Sequence, residues 1–444
     1  MRPAVESIPC DKLQRDALTE FLRQPPFPKK NKPSIAMWQK IRNEKKIKKL
    51  LTKLMDEMQP LMNEMKARDT LPLSDDPSDL YLKQQVKDLI SNTLIEIDDK
   101  KLLFDESFLG YFIAQGYLDV AEEFISRARL EDSGLNKDEL FQALRNVWIM
   151  NSLQLMWDLP LELTDPIYAY SMLYPYTDNI LDDPTTSYQE KEQFNYRLSQ
   201  SLAGRKTRCK TARECRIFQL VSQIHQTYPL KTVPQVTESI QLIQKAQIQS
   251  LKQTGDRILS KEECLSVSFF KGGTSVLADA FLIKSDLDYE QMLFAYQYGA
   301  FLQLLDDLQD KEADEEIACQ TLFSSISKQE LADPEIISLI VYIYTVNEAS
   351  ADDSETTRLM KNVIRQCTIM MIMETVGRHP QVVSRDFYKQ LEACSKVRLS
   401  FYKELHATLS AFVESSPWSV HEVLKSVIFA ILIMFMVIML ALRY

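Results

Sequence analysis

A chain of 444 residues with 45% apolar content can bury a large core, as one domain with appendages or as two or three domains. Its net charge of −10 argues against general nucleic-acid binding, and nine glycines leave few hairpin turns for a β-rich fold. Seven cysteines without a C-x-x-C pair favour reduced thiols over a disulfide frame or zinc site, and four scattered histidines give a histidine-based metal centre little support.

The first 22 residues are mixed polar and lack the apolar stretch of a signal peptide. Residues 29–53 hold ten Lys or Arg against the single Glu44, so the rest of the chain carries −19, the difference between −10 and +9. Ile35, Met37, Trp38, Ile41, Ile47, Leu50, Leu51 and Leu54 fall near helical spacing there. The pattern predicts a basic amphipathic helix, either solvated or lying on an anionic membrane leaflet. With nine prolines at or before Pro77, residues 1–75 read as an N-terminal extension. Proline is then absent until Pro160, and again between Pro234 and Pro334, and long helices can run in those gaps. The predicted helices are 80–98, 108–128, 137–157, 236–254 and 289–314. No strand-like alternation or repeat competes, so the fold class is all-α, with residues 76–415 as a helical body.

The C-terminus differs in kind. Residues 427–442 are sixteen consecutive apolar residues closed by Arg443, preceded by Val423, Leu424 and a Lys425 able to snorkel. Spanning a bilayer takes about 20 mostly apolar residues. Residues 423–443 therefore predict a single-pass C-terminal transmembrane helix, with membrane lipid as partner and the body facing the cytoplasm. The alternatives are a buried helix or a dimer contact, which leaves a homodimer open.

Two acidic clusters carry the chemistry. Residues 301–314 read F-L-Q-L-L-D-D-L-Q-D-K-E-A-D. On a helix Asp306, Asp310 and Asp314 share one face with Gln303 a turn ahead, a stripe that repels itself unless cations hold it. Upstream, Y-T-D-N-I-L-D-D-P at 176–184 sets Asp178 and Asp182 at i, i+4, with Asp183 adjacent. Each cluster alone reads as a helix cap or a solvent face; two in apolar surroundings could face each other across a bundle. Mg²⁺ takes such carboxylates and leaves its other positions to water and phosphate oxygens, so two acidic walls make a diphosphate receptor. Between them lies S-F-F-K-G-G-T-S-V-L-A-D-A at 268–280. A glycine in a helix costs about 1 kcal/mol relative to alanine, so Gly272 and Gly273 predict a break or a close approach of backbone to ligand.

At these residues the sequence resembles the class I isoprenoid synthases, an all-helical fold shared by prenyl diphosphate synthases, squalene and phytoene synthases and many terpene cyclases. Gln303, Asp306, Asp307, Asp310 and Asp314 fit the Q-x-x-D-D-x-x-D-x-x-x-D motif of trans-prenyl synthases. Asp178, Asp182 and Asp183 depart from the prenyl-synthase D-D-x-x-D and look more like the D-x-x-x-D-D of squalene synthases, with Leu181 where those tend to carry another acid. The resemblance covers roughly residues 80–410 and implies a class I isoprenoid-synthase-like bundle. It also implies Mg²⁺ held by Asp178, Asp182, Asp183, Asp306 and Asp310, with Asp307 completing the catalytic set, and an allylic prenyl diphosphate as substrate. By the family's kinked helix, Lys271 is a diphosphate ligand and Thr274 a pocket residue, with Gln303 and Phe270 also on the substrate. Arg197, Arg205 and Lys206 could contact phosphate, although they do not form the family's Arg-Arg pair. Tyr170, Tyr174, Phe269, Phe270, Tyr298 and Phe301 are candidates to shield a cation.

The fate of the cation after ionisation is open in the sequence. A terpene synthase or cyclase acting on a long chain fits, although N-D-x-x-S-x-x-x-E is absent, as it is from the large-terpene synthases of bacteria. Head-to-head condensation fits the first motif without the squalene-synthase V-A-G-x-x-G pattern. Chain elongation fits the second motif and fails at the first. A non-catalytic, membrane-anchored prenyl-lipid-binding protein is the reading from another class, against which the seven motif aspartates weigh.

Overall fold

The computed structural model describes residues 7–23, 34–67, 77–132, 134–183, 185–255, 257–327 and 330–415. Among these residues the secondary structure is helical and contains no strand. In chain order the helices are α1 (Cys10–Leu22), α2 (Met37–Ala67), α3 (Pro77–Asp99), α4 (Leu109–Ala114), α5 (Tyr117–Glu131), α6 (Lys137–Met156), α7 (Asp165–Asp182), α8 (Tyr188–Leu202) and α9 (Ala212–Thr227). They continue with α10 (Pro234–Ser250), α11 (Lys261–Ile283), α12 (Tyr289–Gln309), α13 (Lys311–Glu316), α14 (Asp333–Val346), α15 (Glu355–Arg378), α16 (Arg385–Cys394) and α17 (Leu399–Ser415).

Local chemistry explains several boundaries. Reciprocal N-caps open α6 (Asn136 with Glu139), α8 (Ser187 with Glu190), α11 (Ser260 with Glu263) and α12 (Asp288 with Gln291). In each the cap side chain and the third helical residue satisfy one another's backbone N–H. The expected helix 108–128 is divided between α4 and α5 at Gly116, whose φ of +89° suits glycine and strains other residues. Two prolines sit inside helices, Pro60 in α2 and Pro175 in α7, so proline spacing undercounted the helices. Pro175 has no N–H to offer the carbonyl four residues back, that of Ser171, one turn before the first acidic cluster.

The described residues form two compact units. One takes 7–23, 123–330 and 337–360; the other takes 34–122, 331–336 and 361–415. Residues 1–75 are therefore not one extension, because α1 belongs to the first unit and α2 to the second. Helix α1 packs on α11 and α12. Gln14 donates to the Ser266 carbonyl at 3.0 Å, Tyr289 donates to Asp16 at 2.6 Å, and Phe21 meets Phe269 edge-on at 5.4 Å.

The first unit is built around α11, which packs on α12, α10, α6, α7 and α1. It runs unbroken through Gly272 and Gly273, so the expected break is absent. The glycines admit another helix rather than a ligand. A Cβ on Gly272 would lie 2.3 Å from the Gly299 carbonyl oxygen, and one on Gly299 would lie 1.9 Å from that of Gly272. At Gly273 a Cβ would strike the Tyr296 ring at 2.4 Å.

In the second unit α2 packs on α3 and buries Ile47, Leu50, Leu51, Leu54 and Met58. Arg398 pairs with buried Glu44 at 2.6 Å, Asn43 donates to the Lys396 carbonyl at 3.0 Å, and Lys48 pairs with Glu404 at 2.6 Å. The amphipathic helix is present, and its apolar side is occupied by protein.

Cys209 and Cys215 are joined by a disulfide, with 5.1 Å between their Cα atoms, where reduced thiols were expected. The turn leading into α9 brings the pair together without a C-x-x-C spacing. The expected membrane-spanning segment, 423–443, lies outside the described residues, and no helix among the described residues is long and apolar enough to cross a membrane.

Candidate functional site

Helix α7 carries the first acidic cluster, α11 the lysine–glycine stretch and α12 the second cluster; α11 packs against both others. The expected helix 289–314 ends at Gln309, and Asp310 joins α12 to the short α13. The phase of the acids survives the joint. The Asp310 N–H reaches the Asp306 carbonyl at 2.9 Å, and the Asp314 N–H reaches that of Asp310 at 2.8 Å.

Tyr174 reports on the charge between the clusters. Desolvation raises its phenol above the ordinary range, and the carboxylates of Asp178 and Asp306 add to this while Lys271 and Arg145 oppose it. One hydroxyl thus senses an acid from each cluster and two cations. Asp178 also accepts a hydrogen bond from Gln247 of α10 at 3.4 Å.

The carboxylates of the second cluster differ in environment. Asp307 points inward, accepting from Ser268 at 2.6 Å and Gln303 at 2.9 Å, a tie between α11 and α12. Burial pushes its pKa up to about 6, with the Asp306 charge adding and Lys271 and the two hydrogen bonds opposing. Burial also pushes Asp314 up to about 7, and the charges of Asp307, Asp310 and Asp306 reinforce it. The stripe therefore repels itself as its spacing implied. Asp306 and Asp310 are half-buried.

The other expected residues fall unevenly. Asp183 caps the turn after α7: its Oδ1 accepts from the Thr185 N–H at 2.8 Å and hydroxyl at 2.7 Å, and its Oδ2 from the Thr186 hydroxyl at 3.0 Å. Those bonds lower its pKa and hold the carboxylate in the turn. The Asp182 side chain lies outside the described residues. Arg197 is committed to buried Glu214 of α9, with Nε at 3.1 Å, so it is a structural ion pair and not an open phosphate contact. Arg205 donates to Gln200 at 2.7 Å and Lys206 is exposed. Thr274 is fully buried and donates to the Phe270 carbonyl at 2.6 Å, which spends its hydroxyl on its own helix. Gln303 is spent on Asp307.

Among the aromatic candidates, Phe269 packs with Phe21 and Tyr342, and Tyr298 with Phe294 and Phe301, as core. Lys245 lies 5.8 Å from the Phe270 ring centroid. Tyr170 and Tyr174 line a cavity with Leu173, Thr177, Ile243 and Gln247, among others. Its water-accessible volume is about 20 Å³, room for about one water. A prenyl chain enters it only if the surrounding helices move.

Sequence reasoning missed Arg145 and Gln247. Arg145 had a signal: it stands among Ala143, Leu144, Val147 and Trp148 of α6, all fully buried, where a cation needs an anionic partner. Gln247 had none.

Among the described residues no group of three or more His, Cys, Asp or Glu side chains is set to hold a metal ion. The donors still suit Mg²⁺, which binds through one or two carboxylates with water and phosphate oxygens completing its shell. A cation there would offset the charges of Asp307, Asp310 and Asp306 that, after burial, raise the pKa of Asp314. Compared with known proteins, the chain matches no family model, no curated protein and no solved structure.

Proposed function

We propose that the first unit is a Mg²⁺-dependent isoprenoid synthase of the class I type that ionises an allylic prenyl diphosphate, acting as a terpene synthase or cyclase on a long-chain substrate. The observation that carries this reading is that α11 packs against both α7 and α12, and that Asp178, Asp306, Lys271 and Arg145 all act electrostatically on Tyr174 of α7. Two acids from separate helices and two cations acting on one side chain are the charges that a metal-bridged diphosphate would call for.

Asp178, Asp306 and Asp310 would hold Mg²⁺, and Lys271 and Arg145 would neutralise the diphosphate oxygens on which charge develops as the allylic bond breaks. When bound, Mg²⁺ supplies Lewis-acid stabilisation of the leaving diphosphate. Tyr174, neutral at any physiological pH, presents an aromatic face without adding an anion beside the substrate. Asp307 ties α12 to α11 through Ser268, next to the turn that carries Lys271.

The test is incubation of the full chain with Mg²⁺ and prenyl diphosphates of graded length, measuring released diphosphate. A cyclic hydrocarbon or alcohol identifies a cyclase, a head-to-head hydrocarbon a condensing enzyme, and a longer diphosphate an elongating one. If no substrate releases diphosphate or is elongated, the enzyme reading fails and a prenyl-lipid-binding role replaces it.

A further inference from the structure

The apolar side of α2 is buried inside the second unit, so it cannot also enter a membrane, yet the opposite side of the same helix is unusual. Trp38, Arg42, Lys45 and Lys49 follow one another at i, i+4, i+7 and i+11, which places them on one stripe of the helix. All four are exposed, Trp38 at 65%. Met37 at 49% and Ile41 at 37% flank the tryptophan, and exposed Lys46 widens the basic side. Arg42, Lys45, Lys46 and Lys49 make no ion pair among the described residues, whereas Lys48 and Lys53 on the same helix do, with Glu404 and Glu57. The first acid on the stripe is Asp56.

We infer that this stripe is a docking surface for an anionic lipid bilayer, with α2 lying along the headgroup layer and Trp38 at the boundary with the acyl chains. Charge complementarity argues for an anionic partner, because Arg42, Lys45, Lys46 and Lys49 expose four positive charges on one side of α2 in a chain of net charge −10. A net-negative chain would repel a large dissolved polyanion, whereas a surface can meet this basic stripe alone. Exposed tryptophan, methionine and isoleucine at one end of the cationic row argue for lipid in particular, because an interfacial helix combines basic residues with an aromatic or aliphatic wedge. The stripe from Trp38 to Lys49 spans about 16 Å at 1.5 Å per residue, long enough to lie flat across several headgroups. The inference rests on the second unit and is independent of the diphosphate reading.

The test uses the full chain reconstituted in phosphatidylcholine bilayers with and without phosphatidylglycerol, with brominated acyl chains as tryptophan quenchers. The readout is the part of the quenching that disappears in Trp38→Phe, which separates Trp38 from the other three tryptophans. Trp38-dependent quenching is expected in the anionic bilayers, with its loss in high salt and in the triple variant R42E/K45E/K49E. Circular dichroism of the variants unchanged from the parent shows that the exposed substitutions leave the fold in place. Equal Trp38-dependent quenching in zwitterionic bilayers, its absence in anionic ones, or capture of a single-stranded RNA by the stripe without lipid quenching overturns the inference.

Discussion

Gly299→Ala is the sharpest perturbation available in the first unit. The added methyl carbon would sit 1.9 Å from the carbonyl oxygen of Gly272, whereas heavy atoms in contact stay about 3.5 Å apart, so α11 and α12 must separate by roughly 1.5 Å at their crossing. Neither atom belongs to a side chain that can rotate away, which puts the cost at the upper end of overpacking, about 3 kcal/mol. The gain in helix propensity returns about 1 kcal/mol, leaving a net loss of about 2 kcal/mol. The expected fall in melting temperature is roughly 4–8 °C. Gly110→Ala in α4 is the matched control, since a Cβ there meets nothing within 4 Å, and it should leave stability unchanged or raise it by up to about 1 kcal/mol. Thermal or urea unfolding of both variants decides the matter. A Gly299→Ala protein as stable as its parent would refute the close crossing.

Three further outcomes are expected. Arg197→Ala should destabilise the first unit by about 3–5 kcal/mol, because it strands buried Glu214, without changing diphosphate affinity; unchanged stability with weakened binding would return Arg197 to the substrate. Asp307 and Asp314 hold their protons more tightly in the folded chain than the ordinary carboxylate value of about 4, so ionising them favours unfolding. Without divalent cations their contribution to stability is full below pH of about 4 and lost as pH rises through about 6 and 7, and Mg²⁺ should flatten the decline. Asp314→Asn should remove its share, and a wild-type minus variant profile that rises over this range would contradict the assignment. Asp306→Ala and Asp178→Ala should each abolish diphosphate release with the far-ultraviolet dichroism intact, and turnover at the parental rate in either would remove that residue from the site.

The legible parts of the molecule were those written in local spacing. Helices predicted at 137–157 and 289–314 open at α6 and α12 within a residue of the expected start, and the acids of the second cluster kept their helical phase across the joint at Asp310. The features that misled depended on a partner distant in sequence or on a competing local bond. Gly272 and Gly273 were visible, but their reason is Gly299 and Tyr296 on the next helix. Arg197 resembled a phosphate contact until Glu214 claimed it. The proline rule set helix boundaries too strictly at Pro60 and Pro175, where packing on neighbouring helices outweighs one lost hydrogen bond. Arg145 needed the fold to show that it shares an electrostatic field with Tyr174 and the two acidic clusters.

The central claim is that Asp178 and Asp306 form two walls of one Mg²⁺-diphosphate site. Calorimetric titration of inorganic diphosphate into the full chain, with and without Mg²⁺, addresses it without requiring turnover. The account predicts Mg²⁺-dependent binding that is lost in Asp178→Asn and in Asp306→Asn alike. Binding that needs no Mg²⁺, survives either substitution or fails in the parent chain would contradict it.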